Sequence, residues 1–252
     1  MATAARTFSL AWKSACIAAL ILAGLPLQRI LVRLNSPARR RLPALFHRAL
    51  LKLFRVRCKV SGPLPGGQLL LAGNHISWLD IIILSAARPA SFVARADMAD
   101  WPLFGLCARL QESVFIDRAR RADAARAVDE LAARFRAGDT IVLFPEGTTG
   151  NGFHLKPFRA PLLEAAAARP EVPLQPFAIR YTRRGGLPLG RSDMPAIAWY
   201  GDMEIWPHLK GLLAGPPVDA EIRFGEPLTR EAGESRKHLA ARLEEAVREL
   251  KR

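Results

Sequence analysis

From Ser61 onward, short apolar runs alternate with stretches patterned for helix, and no other feature of the sequence constrains the fold as tightly. Residues 68–72, 91–94, 113–116, 140–144, 174–180, 196–200 and 220–224 are apolar runs of strand length bounded by turn-forming residues. Gly62, Pro63, Pro65, Gly66 and Gly67 form a turn cluster ahead of the first run. Ala124, Ala127, Val128, Leu131 and Phe135 recur at helical spacing and end at Gly138; Leu239, Leu243, Ala246, Val247 and Leu250 do the same near the C-terminus. Strands alternating with helices predict an α/β domain with a mixed, largely parallel sheet flanked by helices. At 252 residues the chain is long enough for one such domain and slightly short for two.

The first 59 residues read differently. No Asp or Glu precedes Asp80, while cations recur from Arg6 to Lys59, so the formal net charge of +14 is weighted toward this end. Residues 14–27 carry no charge, fewer than the ~20 apolar residues a spanning helix needs. A cleaved signal, a short spanning anchor and a helix lying in one leaflet are all open; the following segment favours the last. There Leu42, Leu45, Phe46, Ala49 and Leu53 share a helical stripe beside a ridge of Arg41, Arg48, Lys52 and Arg55. Apolar residues would enter the acyl boundary while the ridge meets anionic headgroups, each cation adding about 1 kcal/mol near a charged surface. The expected division is thus 1–59, a membrane-associating helical segment, and 60–252, the α/β domain. Nucleic acid is not the expected partner, because the cations are not interleaved with aromatics suited to base stacking. Cys16, Cys58 and Cys107 are odd in number and match no metal or redox spacing, which suggests buried free thiols in a reducing compartment.

Four segments carry candidate chemistry. Residues 74–80, Asn-His-Ile-Ser-Trp-Leu-Asp, follow a predicted strand and precede an apolar helix-like run. A His whose second nitrogen is held by a carboxylate is a general base of fixed tautomer. On one regular helix His75 and Asp80 would diverge by about 140°, so the pair requires His75 to sit before the helix and Asp80 to reach back. Phe115-Ile116-Asp117-Arg118 ends another strand, and Arg118 is suited to clamping a phosphate. Phe144-Pro145-Glu146-Gly147-Thr148 makes a sharp turn after a strand, presenting Glu146 and Thr148. Val172-Pro173-Leu174-Gln175-Pro176 opens a buried strand. Taken singly, each fits a cap, a solvated strand end or a plain turn.

In this order the four segments resemble those of the glycerolipid acyltransferase family, the 1-acylglycerol-3-phosphate and lysophospholipid acyltransferases. The family motifs are Asn-His-x-Ser-x-x-Asp, Phe-x-x-Arg, Phe-Pro-Glu-Gly-Thr and Val-Pro-x-x-Pro; the resemblance runs from about Val60 to Phe224. It implies transfer of a fatty acyl group from acyl-CoA or acyl-carrier protein to a lysolipid hydroxyl, with His75 and Asp80 catalytic. It further implies that Arg118, Glu146, Gly147 and Thr148 bind the acceptor, that neither cofactor nor metal takes part, and that the site lies at the cytoplasmic face of the inner membrane. No Gly-x-Ser-x-Gly elbow is present, and the reaction needs no acyl-enzyme. One departure bears on the acceptor. Many glycerophosphate-specific members continue the third motif as Glu-Gly-Thr-Arg-Ser, whereas here Thr149 and Gly150 follow Thr148. Either Lys156 or Arg159 supplies the missing cation, or the acceptor carries no phosphomonoester. Residues 198–202, Ala-Trp-Tyr-Gly-Asp, also resemble a stretch of the lyso-ornithine-lipid branch. Lysophosphatidate is the first acceptor implied, and lyso-ornithine lipid the alternative.

Overall fold

The computed structural model describes residues 2–117, 121–163, 171–229 and 233–252. In chain order the elements are α1 (Ala2–Arg33), α2 (Ala38–Phe54), β1 (Val56–Ser61), β2 (Leu69–Gly73), α3 (Leu79–Ala87), β3 (Ser91–Arg95), α4 (Phe104–Leu110), β4 (Val114–Ile116), α5 (Arg121–Arg136) and β5 (Thr140–Leu143). They continue with β6 (Leu174–Arg184), β7 (Leu187–Pro188), α6 (Ile205–Ala214), β8 (Val218–Phe224) and α7 (Arg236–Leu250).

The strands form one sheet in the order β1-β8-β6-β2-β5-β3-β4, with β7 paired on the end of β6. Pairing is parallel from β6 through β2, β5 and β3 to β4, and again between β1 and β8; β6 meets β8 antiparallel. The sheet is therefore mixed and largely parallel. Its central strand, β2, is buried on both faces, which explains its unbroken apolar run. Leu69 and Leu71 face one core with Ile83, Phe177, Ile179 and Ile222. Leu70 and Ala72 face the other, with Leu131 and Phe135 of α5 and Leu239, Leu243 and Val247 of α7.

Two sequence expectations change. Residues 196–200 form no strand: the antiparallel β6–β8 pair leaves no ladder position for them, and the segment crosses the loop after β2 instead, with Trp199 N donating to Ile76 O at 3.0 Å. Conversely, β1 was hidden by its charges. Arg57 and Lys59 belong to an edge strand, where outward cations discourage further pairing, and Arg57 meets Asp219 of β8 at 2.6 Å. The sheet thus begins at Val56, ahead of residue 60.

The uncharged run 14–27 is the middle of the single 32-residue helix α1. One side of α1 is docked: Leu10, Ile17 and Leu20 pack against the first core, Lys13 Nζ donates to Leu213 O at 2.8 Å, and Gln28 Nε2 donates to Arg39 O at 2.8 Å and Leu110 O at 2.9 Å. The other side leaves Phe8, Trp12, Leu22, Leu27 and Ile30 exposed. The stretch Phe8–Arg33 is long and apolar enough to cross a membrane. In α2 the buried residues are Ala44, Leu50, Leu51 and Phe54; of the stripe expected to face lipid, only Leu45 is exposed. Phe46 lies 3.6 Å from the position a Cβ would take on Gly24 of α1. The three cysteines are free thiols, each partly exposed rather than buried.

Candidate active site

The site is built where β2 ends, at the carboxyl edge of the parallel strands, the edge where α/β sheets gather ligands. Gly73 is required there by crowding: a Cβ at this position would stand 2.2 Å from Phe177 O and 2.7 Å from the Phe177 ring. Asn74 continues the β2–β6 ladder with its side chain, Nδ2 donating to Ile179 O at 3.0 Å and Oδ1 accepting from Ile179 N at 2.8 Å. His75 is thereby fixed at the rim, four residues ahead of the first residue of α3.

Asp80, in the first turn of α3, is fully buried and reaches back over that loop. Its Oδ2 lies 2.9 Å from His75 Nδ1 and accepts from Ile76 N at 2.6 Å and Ser77 N at 2.9 Å. Its Oδ1 accepts from Tyr181 OH at 2.6 Å. These partners answer a charge that would otherwise be very costly to bury. The Tyr181 hydroxyl is held well above its usual range, first by burial and then by the Asp80 charge, so it stays protonated as a donor. The His75 ring stacks on Phe144, with centroids 3.8 Å apart and planes 10° from parallel. Its side chain keeps 15% of its surface exposed, against none for Asp80.

Glu146 is buried, and both carboxylate oxygens are engaged by main-chain amides: Oε1 by His75 N at 2.8 Å, Oε2 by Lys156 N at 3.1 Å. Burial raises its carboxyl pKa, opposed by these two amides and by the charges of His75 and Lys251. Gly147 has φ +76°, a conformation costly for other residues, and donates to Phe144 O at 3.0 Å to close the turn. Thr148 is exposed beyond it. Arg118 lies outside the described residues. Gly147 and Thr148 line a cavity of about 530 Å3 together with Arg95, Asp97, Asp117 and Arg159. Lys156 Nζ is committed elsewhere, donating to Thr149 O at 2.9 Å.

Sequence reasoning overlooked Tyr181. Its signal was a lone tyrosine one residue past a predicted buried strand, because a buried phenol needs a partner for its O–H. Among the described residues no group of three or more His, Cys, Asp or Glu is placed to hold a metal ion.

The fold is shared with the crystal structure of the 1-acyl-sn-glycerophosphate (LPA) acyltransferase PlsC from Thermotoga maritima, with a TM-score of 0.71 over 99% of this chain and 96% of that one, at 19% identity. Residues 55–180, half the chain, match the Acyltransferase family. The chain is 44% identical to the lyso-ornithine lipid O-acyltransferase of Brucella abortus over 94% of its own length and 91% of that protein's. It is 30% identical to the 1-acyl-sn-glycerol-3-phosphate acyltransferase of Neisseria gonorrhoeae over 73% and 69% respectively. The chain belongs to the acyltransferase family. It is an O-acyltransferase of the lysolipid type, acting on an acyl donor and a lipid acceptor.

Proposed function

We propose that the acceptor is a lyso-ornithine lipid, acylated by His75 acting as general base. The observation that carries the acceptor is the cavity beside Gly147 and Thr148. It is lined by Arg159, by Asp117 and by the Arg95–Asp97 ion pair, closed at 2.5 Å, so its wall carries both signs of charge. A zwitterionic amino-acid headgroup, with one carboxylate and one ammonium, complements such a wall; a phosphomonoester would face two carboxylates. The third motif also lacks the cation found in glycerophosphate-specific members, and Lys156 is tied to Thr149 O rather than turned to this cavity. Four relatives, from 35 to 44% identical, are lyso-ornithine lipid O-acyltransferases. Lysophosphatidate is the second reading, favoured by the Neisseria relative and by the two cations in the wall.

In the proposed mechanism Asp80 accepts a hydrogen bond from His75 Nδ1–H, which fixes the tautomer and leaves the Nε2 lone pair to take the proton of the lysolipid hydroxyl, forming an imidazolium. The resulting oxygen attacks the thioester carbonyl, the carbon–sulfur bond breaks, and the departing thiolate is protonated by the imidazolium. Proton transfer of this kind contributes about 10²–10⁴-fold, and alignment of the two substrates supplies more. Glu146 positions His75 through its amide. Gly147, Thr148 and Arg118 are assigned to acceptor binding. The donor is acyl-CoA or acyl-carrier protein, with no cofactor beyond it. The catalytic unit, whose sheet begins at Val56, sits at the cytoplasmic face of the inner membrane.

Within the segment 1–59, α1 is the membrane element and lies along one leaflet. Its docking points Lys13 and Gln28 are about 22 Å apart along the axis, so much of its length is held to the domain while the opposite face enters the acyl boundary. A membrane-impermeant thiol reagent applied to spheroplasts should leave a Ser9→Cys residue unlabelled; labelling from outside would mean that α1 spans. The acceptor is tested by supplying purified protein with one labelled acyl donor and either lyso-ornithine lipid or lysophosphatidate. Faster turnover of lyso-ornithine lipid is expected, and a preference for lysophosphatidate would reverse the assignment.

A further inference from the structure

Apart from Asp80, most of what holds His75 comes from residues 144–150. Phe144 stacks on its ring, Glu146 Oε1 accepts from His75 N at 2.8 Å, and Gly150 N donates to His75 O at 2.8 Å. Both main-chain polar groups of His75 are therefore answered by this one segment. A second segment, 156–159, straps the first. Lys156 N donates to Glu146 Oε2 at 3.1 Å, and Arg159 N donates to Pro145 O at 2.9 Å. Phe158 N donates to Glu244 Oε2 at 2.9 Å, which ties the strap to α7.

The side chain of Lys156 adds a further contact, with Nζ donating to Thr149 O at 2.9 Å. That carbonyl and the Gly150 N–H belong to the same peptide unit. The unit is thus pinned at both poles, its oxygen by an ammonium and its N–H by the carbonyl of His75. A cation on the oxygen polarises the amide and strengthens the donor at the other end. A lysine that merely stapled a loop would make the same bond, and two observations separate this one. It acts on the one peptide that touches His75 O. The residue it steadies is also a glycine for which neither crowding nor a left-handed backbone calls: a Cβ on Gly150 would meet nothing closer than 3.6 Å, and its φ lies outside the left-handed range. Glycine leaves this peptide free to turn over, because the rotation carries φ toward the left-handed side, where a Cβ is penalised. Turned over, the unit would set the Thr149 carbonyl against that of His75. The Lys156 ammonium opposes that rotation.

We propose that Lys156 is a positioning residue for His75. Its ammonium locks the Thr149–Gly150 peptide with the N–H toward His75 O, and so holds the imidazole where Nε2 meets the lysolipid hydroxyl. The inference rests on the proposed role of His75. It gives Lys156 a task other than replacing the cation absent from the third motif. A misaligned base slows proton transfer without weakening either substrate, so the effect belongs in kcat.

The experiment uses the full-length protein in detergent–lipid micelles, with acyl-CoA or acyl-carrier protein and whichever lysolipid turns over faster. Lys156→Met should lower kcat about tenfold, the loss expected for one charge-assisted hydrogen bond, with both KM values within about twofold of wild type. Lys156→Arg keeps the charge and should retain kcat within about twofold. Lys156→Gln, a donor without the charge, should fall between them, and serves if the methionine variant fails to fold. Adding Gly150→Ala to Lys156→Met should recover about threefold in kcat over Lys156→Met alone, because alanine resists the turned-over peptide; a purely structural staple would gain nothing from it. With isotope-labelled glycine, the Gly150 amide proton, identified by its loss in Gly150→Ala, should move upfield in Lys156→Met and hold its position in Lys156→Arg. An unchanged kcat, a loss carried by KM, no recovery with Gly150→Ala, or an unmoved Gly150 signal would each overturn the proposal. His75→Ala, measured alongside, separates the two readings. Near-normal turnover there removes the base and this role with it; an inactive His75→Ala beside a fully active Lys156→Met removes only the role of Lys156.

Discussion

The two ends of the parallel strands both carry buried charge, and they use it differently. At the amino ends, ahead of β4 and β5, carboxylates are closed between arginines: Asp139 meets Arg40 at 2.5 Å and Arg134 at 2.6 Å, and Glu112 meets Arg39 and Arg134, each at 3.1 Å. Arg88 adds Thr140 Oγ1 at 2.8 Å and the Gly67 carbonyl at 2.9 Å. Each carboxylate there faces fixed positive charge, so the network ties α2 and α5 to the strand starts and has no proton to give. At the carboxyl ends Asp80 is surrounded by amides, a phenol and one imidazole. Among the described residues no arginine neutralises it, which leaves its charge available to stabilise an imidazolium. One sheet thus keeps structural and chemical electrostatics apart by the length of its strands.

The sharpest way to break this contrast is His75→Ala. It should lower kcat by about 10²–10⁴-fold with little change in melting temperature, because the ring is partly exposed and Asp80 keeps its other three donors. Near-normal turnover in steady-state assays would remove His75 from the chemistry. A pH experiment then asks whether acid sensitivity of fold and activity are separable. Burial holds the His47 pKa down to about 4, and its Nδ1 has no hydrogen-bond partner among the described residues. The folded state keeps this imidazole neutral, while the unfolded chain protonates it below its ordinary 6.5. Stability is therefore expected to fall as pH drops from 6.5 toward 4, by about 3 kcal/mol at most. Denaturant melts of His47→Phe should show a flatter pH dependence, with the pH profile of kcat unmoved.

Asp139→Asn addresses the opposite end of the strands. It should destabilise the fold by about 2–3 kcal/mol, between the surface and fully buried limits for an ion pair, with unchanged kcat at a permissive temperature. Loss of turnover in a protein that still melts cooperatively would show that the two ends are coupled. The smallest effect is expected for Tyr181→Phe, which removes one hydrogen bond from Asp80, worth about 1–2 kcal/mol. A severalfold lower kcat with unchanged KM would make Tyr181 a positioning residue; a change in stability alone would move it to the structural side.

Much of the layout was legible from pattern. Strands β2, β5 and β6 announced themselves because burial on both faces demands unbroken apolar runs. The pairing of His75 with Asp80 could be stated as a geometric condition, since one regular helix would keep them apart. Edge and loop segments were harder. The cations of β1 resembled the basic helices before it, and only the partner strand β8 made residues 56–61 a strand. Residues 196–200 had strand composition, and the occupied edge of β6 turned them into a loop over Ile76. Glu146 is the instructive case within the site. Its motif marked it as important, but its task of holding the His75 and Lys156 amides depends on backbone positions 71 and 10 residues away.

The order of motifs, the alternation of strand and helix, and the apolar, acid-free N-terminal end belong to the sequence itself, because periodicity and residue chemistry are local properties. Which groups meet was settled only by the fold. Tyr181 reaches Asp80 from 101 positions away, Gln28 of α1 is held by the Arg39 and Leu110 carbonyls, and Arg180 of β6 donates to Arg252 O. Those meetings depend on how strands pair and helices pack, and distance along the chain carries no information about either.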